Sequence, residues 1–138
     1  MGYDFHANNP DVEMFYLGGF SWPWMLSAGV GLIIGQGDGL APGQYFYQPD
    51  ESGFDPLAND GYHVTANQAK MMVAALRGLV HVERHKRRAW ETLTSEERSK
   101  RQDSRLQHIY NNPVREDFVD KAEAMANWTE RSGGFRIH

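Results

Sequence analysis

The stretch Asp60–Val80, "DGYHVTANQAKMMVAALRGLV", decides the fold, because its pattern changes from strand to helix at one residue. Asp60-Gly61 is a turn signal, and it leads into a short strand over Tyr62–Val64. Thr65 then opens a helix. In "TANQ" the Thr65 hydroxyl can accept from the Gln68 N–H while the Gln68 side chain reaches back, which is a capping box. Ala69, Met72, Val73, Leu76, Leu79 and Val80 follow at helical spacing and make one apolar face. Gly78 weakens this helix without breaking it.

Further along the chain, "TSEE" at Thr94–Glu97 is a second capping box. It opens a polar helix reaching about Tyr110, so the charged segment 84–111 is expected to stay solvated and to project from the body. "NNP" stops that helix and starts the next, with Asn112 as N-cap and Pro113 as first residue. Val114, Phe118, Ala122, Met125 and Thr129 form its apolar stripe. Ser132-Gly133-Gly134 ends it, and "FRI" at Phe135–Ile137 returns as a closing strand. Before the opening stretch, "YDF" at Tyr3–Phe5 and the aromatic run around Tyr45–Tyr47 read as strands. The expectation is an α+β single domain over 1–138: a small, mostly antiparallel sheet packed against three or four helices. A length of 138 residues suits one such core.

No charged residue occurs from Met14 to Gly37, a run long enough to span a bilayer. Pro23 and six glycines interrupt it, and its flanks are Glu13 and Asp38. No basic anchor marks a cytoplasmic side, and no positive leading region marks a secretory signal. A soluble helix is expected instead, capped near Ser21 or Trp22, with Pro23 in its first turn and its end near Gly35. Trp24, Met25, Ala28, Leu32 and Ile33 would form its buried face. The spacing in "GVGLIIG" is not that of a dinucleotide fingerprint, and the glycines lie at the end of a helical pattern. "SWPW" places two tryptophans around a proline, and Trp22 and Trp24 are the candidate interface anchors.

The chain has no cysteine, which excludes a disulfide framework and thiol chemistry and allows a reducing compartment. Its charge is segregated. Residues 1–69 hold eight acids and no Lys or Arg, whereas residues 70–138 hold all fourteen basic residues against ten acids, a balance of +4. On the central helix Lys70, Arg77, His81, Arg84, His85 and Arg88 fall within roughly 100° of one another and form a stripe about 27 Å long. This stripe is the candidate anion- or partner-binding site. Its expected neutralisers are carboxylates of the acidic half or of a second subunit. Phosphate binding is the alternative use. His81 and His85 are four apart, but "HVERH" is not H-E-x-x-H, and the surrounding cations oppose a metal. No catalytic elbow and no cofactor motif is present, and the carboxylate pairs sit in first helical turns.

"GYDF-AN" at Gly2–Asn8, "NDGYHVTANQA" at Asn59–Ala69 and "SGGFRI" at Ser132–Ile137 together resemble a loose group of small uncharacterised bacterial and phage proteins. The resemblance implies a soluble cytoplasmic protein without a transferable catalytic motif. The expected function is therefore a small binding or interaction protein, not an enzyme, acting on a protein partner or on itself. A phage-type accessory that inhibits a host defence component fits this class. The alternative is a nucleic-acid or anionic-nucleotide binder using the basic stripe. No cofactor, no metal and no membrane association are expected.

Overall fold

A computed structural model describes residues 2–34, 56, 57, 59–103 and 113–138. The stretch Asp60–Val80 folds as its pattern requires. Strand β3 (Tyr62–Val64) enters helix α3 (Ala66–Glu91) through Thr65, whose side chain accepts from the Gln68 N–H while Gln68 accepts from the Thr65 N–H. The second capping box also forms, with Thr94 and Glu97 exchanging hydrogen bonds ahead of helix α4 (Ser95–Asp103).

Four strands make one antiparallel sheet. Strand β1 spans Gly2–Ala7, β2 Phe15–Gly18 and β4 Phe135–Ile137, and the spatial order is β2-β1-β4-β3. The fold is thus the expected α+β class. Strand β2 has no counterpart in the sequence reading, and the aromatic run around Tyr45–Tyr47 lies outside the described residues. The register pairs Phe5 with Phe15 and Ile137, and Phe135 with Ala7 and Val64. These residues point to one face, where Phe5, Leu17, Tyr62, Val64, Phe135 and Ile137 are all buried.

Helix α3 and helix α5 (Glu116–Ser132) supply the other side of the core through Met72, Leu76, Ala122, Met125 and Trp128. Phe5 is the aromatic hub, with ring centroids 5.0 Å from Trp22, 5.5 Å from Phe135 and 6.3 Å from Trp128. Such edge-to-face pairs add about 0.5–1.5 kcal/mol beyond area burial.

Helix α5 starts at Glu116, not at Pro113 as the "NNP" signal suggested. The cause is a clamp from α3: Glu83 accepts from the Val114 N–H, and Arg87 donates to the Val114 carbonyl. A backbone committed to those bonds does not enter the helical ladder. Glu83 is 5% exposed and also binds Lys86 at 2.9 Å, so the acid of "HVERH" serves this clamp. The first residues of the segment expected to project are therefore docked on the body, and residues 104–112 lie outside those described. Helix α5 ends at Gly133, which is left-handed at φ 69°. Gly134, at φ 95°, has no room for a side chain, since a Cβ would sit 2.7 Å from the Val64 carbonyl oxygen.

The uncharged run is not one straight helix. Helix α1 (Ser21–Met25) passes into a wide turn over Leu26–Val30, and helix α2 covers Gly31–Ile34. Gly29, at φ 152°, breaks the ladder and shifts the helical phase of the residues after it. The buried apolar side chains are Trp22, Met25, Leu26, Val30 and Ile34; Ala28 is exposed, contrary to the uninterrupted-helix expectation. Among the described residues, no helix is long and apolar enough to cross a membrane.

Candidate functional site

The basic stripe nominated by the sequence lies on α3 as expected, but its main partners come from α5. Arg77 donates to both oxygens of Glu130, at 2.6 and 3.3 Å, and Arg84 pairs with Glu123 and with Asp120 at 3.7 Å. The expected pairing with the acidic half or a second subunit is corrected on this point. Two helices packed antiparallel through their apolar faces bring their polar flanks together, so the cations meet the nearest acids in space. The Arg77 hydrogen bond holds the Glu130 carboxyl below the usual carboxylate range. Arg131 does the same to Glu13 across the body.

Lys70, His81, His85 and Arg88 are exposed on the same helix. Lys70 lines a groove of about 320 Å³ with Ala66, Ala69, Val73, Thr129, Glu130 and Gly133. Its walls are mostly apolar, and its one carboxylate already holds Arg77. Among the described residues, no three His, Asp or Glu side chains are placed to share a metal ion.

Trp22 is corrected as an interface anchor. Trp22 is wholly buried, and its indole N–H donates to the Pro56 carbonyl at 3.0 Å. Trp24 is half-buried with its ring 5.6 Å from Phe118. Among the described residues, the exposed large aromatics are Phe20 at 83% and Tyr16 at 58%, beside or on β2, with Met14 at 52%. Trp22 packs edge to face on Phe5, and Phe20, just ahead of α1, stays outside.

The sheet face turned away from the helices carries the densest polar constellation. Side chains alternate across a strand, so the neighbours of the buried positions point outward. His6 lies opposite Arg136, and Arg136 lies opposite His63, which places one guanidinium between two imidazoles in a single cross-strand row. In the next row Tyr16 lies opposite Asp4, and the Asp4 and His138 backbones exchange hydrogen bonds of 3.0 and 2.7 Å. The His6 and His138 rings meet edge to face at 5.1 Å. Asn8 Nδ2 lies 3.2 Å from His63 Nε2 and donates to the Gly133 carbonyl at 3.2 Å. Cross-strand neighbours at these spacings sense one another's charge.

Arg136 is a cation of this face that no described carboxylate neutralises. One of its N–H groups donates to the Gly61 carbonyl at 3.1 Å, and among the described residues it makes no ion pair. Arg77, Arg84, Arg115 and Arg131 are all held by carboxylates. The fork of Arg136 keeps donors available for an anion, and bidentate recognition of phosphate or carboxylate is what that geometry suits.

The sequence pattern singles out none of His6, His138 or Arg136. A signal was present. Phe5-His6-Ala7, Tyr62-His63-Val64 and Phe135-Arg136-Ile137 each put a basic residue at the centre of an apolar triplet. Three such triplets aligned in one sheet necessarily stack their centres on the outer face. Comparison with protein-family models, with curated proteins and with solved structures found no match.

Proposed function

We propose that this protein works by binding a phosphate-bearing ligand on the open face of its sheet. The observation that carries the reading is Arg136, unpaired with any described carboxylate and flanked in register by His6 and His63. Asp4, a carboxylate on the same face, stands in the neighbouring row. The class is the anionic-ligand alternative raised by the sequence, moved from the helix stripe to the sheet. Calorimetric titration with inorganic pyrophosphate tests it. Wild-type protein should bind, more tightly at low salt, and Arg136→Gln should not. Absence of binding to the wild type at low ionic strength overturns the reading.

A second reading is favoured by Met14, Tyr16 and Phe20, which expose apolar surface along the uncharged edge strand β2. Edges without charge or proline are open to pairing with another chain. Under this reading the protein engages a protein partner or a second copy, and the host-directed role implied by the phage-type resemblance belongs here. Light scattering over a concentration series separates the two. Self-association abolished by Phe20→Asp and untouched by Arg136→Gln supports the edge, and a strict monomer removes the second copy.

A further inference from the structure

We infer that the ligand of the open face is a single-stranded nucleic acid, with one base stacked on Tyr16 and the phosphates running to Arg136. The inference rests on the anion-binding reading above and adds the chemical class of the ligand.

Tyr16 is the planar platform. It is 58% exposed although it sits within a paired strand, and the end of its ring lies over Gly2 on the adjacent strand. A Cβ built on Gly2 would stand within van der Waals overlap of the Tyr16 hydroxyl oxygen and 2.5 Å from ring carbons, so only glycine lets the ring rest on the sheet there. The hydroxyl end of the ring thus lies close over Gly2, and the side chain remains widely open to solvent. Base stacking needs such a surface and is tolerant of sequence, since every base has a π-face.

The cations stand at the right remove. Tyr16 lies opposite Asp4 on β1, and Arg136 lies opposite His6 on β4. Two strand spacings and two residue steps separate them, about 12 Å by standard sheet dimensions. At roughly 3.4 Å per stacked nucleotide this spans three to four residues of a strand, and fewer when the strand is extended. The base and 5′-phosphate of a single mononucleotide reach only part of that distance.

Charge sets the path. Asp4 repels phosphate from the row shared by Tyr16 and His138, which leaves the diagonal from Tyr16 past His6 to Arg136 and His63. The charged and titratable groups facing that path are Asp4 and His6 from β1, Tyr16 from β2, His63 from β3, and Arg136 and His138 from β4 and its end. With one permanent cation and three imidazoles, few phosphates are neutralised. The logarithmic salt slope should therefore be shallow, about −0.7 for each phosphate engaged by a single strand.

The test uses a fluorescein-labelled ten-nucleotide uridine oligomer, followed by anisotropy, with inorganic pyrophosphate and uridine triphosphate as competitors. The expected result is oligomer binding that Tyr16→Ala weakens about 5- to 150-fold, the range for losing one base stack. Tyr16→Phe should restore it, and Tyr16→Ala should leave pyrophosphate binding intact. Arg136→Gln should lose both ligands. Thermal melts of each variant should match wild type, since the changed side chains are exposed. If pyrophosphate binds while Tyr16→Ala leaves oligomer affinity unchanged, the strand is overturned and the anion site stands. If uridine triphosphate competes as well per molecule as the unlabelled oligomer, a mononucleotide replaces the strand. If the wild type binds neither oligomer nor pyrophosphate, both readings fall.

Discussion

Arg77 and Arg136 are both exposed guanidiniums on regular elements, yet their circumstances are opposite. Arg77 stands on a helix flank and is held by both oxygens of Glu130. Arg136 stands on a strand between two imidazoles and, among the described residues, its hydrogen bond goes to a backbone carbonyl. The difference comes from what each element packs against. A helix laid on another helix shares a polar seam with it, and that seam collects opposite charges. A sheet covered on one face has no such helix seam on the other, and there Arg136 stands between its cross-strand neighbours His6 and His63. A basic stripe in a sequence is therefore weaker evidence for a ligand than a single cation on an uncovered sheet.

The sharpest way to probe this contrast is to mutate two adjacent residues of β4. Phe135 is wholly buried among aromatic rings, whereas Arg136 is exposed on the opposite face. Phe135→Ala should cost about 3–5 kcal/mol in urea unfolding. Arg136→Ala should change stability by no more than about 0.5 kcal/mol while removing anion binding. A large stability loss from Arg136→Ala would mean that the outer face is structural.

Next in size is the cap at the strand-to-helix junction. Thr65→Ala should lower stability by about 0.5–2 kcal/mol, because the Gln68 N–H loses its acceptor. An unchanged urea midpoint would show that the capping box contributes nothing.

The helix seam should respond less. Reversing Arg77 and Arg84 together to Glu places like charges against Glu130, Asp120 and Glu123. Stability should fall, and added salt should shrink the deficit, because exposed pairs are screened. Arg136→Glu should show no such salt-dependent loss. Equal behaviour of the two variants would erase the contrast between seam and sheet.

The smallest effect is an acid one. Glu13 and Glu130 titrate below the ordinary carboxylate value of 4.5 in the folded chain, chiefly through hydrogen bonds from Arg131 and Arg77. A depressed folded value gives stability that is fully present above the unfolded value. It is lost as the pH falls below about 4.5 and through the folded value. Unfolding midpoints across that range should decline more gently in Glu130→Gln than in wild type. Parallel curves would remove this pair from the acid response.

Local chemistry explains what the sequence disclosed. Thr65, Gln68, Thr94 and Glu97 cap helices through bonds made within three residues, so their spacing alone announces them. Tyr62–Val64 and Phe135–Ile137 are strands because turn signals bound them. Strand β2 is hidden because "FYLG" lies inside an uncharged run that reads as helix. The phase of that run changes at Gly29, whose broken ladder no apolar count reveals. The start of α5 is set by Glu83 and Arg87, residues about thirty positions upstream. The open face is the extreme case, since its members come from four strands and converge only through register.

Strand β4 is last of the four in the chain yet sits between β1 and β3, and this order bears on how the chain is made. On a translating ribosome the β1–β2 hairpin can close early, while the inner edge of β1 and the paired edge of β3 wait for Phe135–Ile137. At roughly 5–20 residues per second, the interval from Val64 to Ile137 lasts about 4–15 s. During that time Phe5, Tyr62 and the uncharged run near Trp22 have no completed core to enter. Nascent chains of this protein should therefore be clients for holding chaperones until β4 emerges, when the β1–β4 and β4–β3 pairings form together.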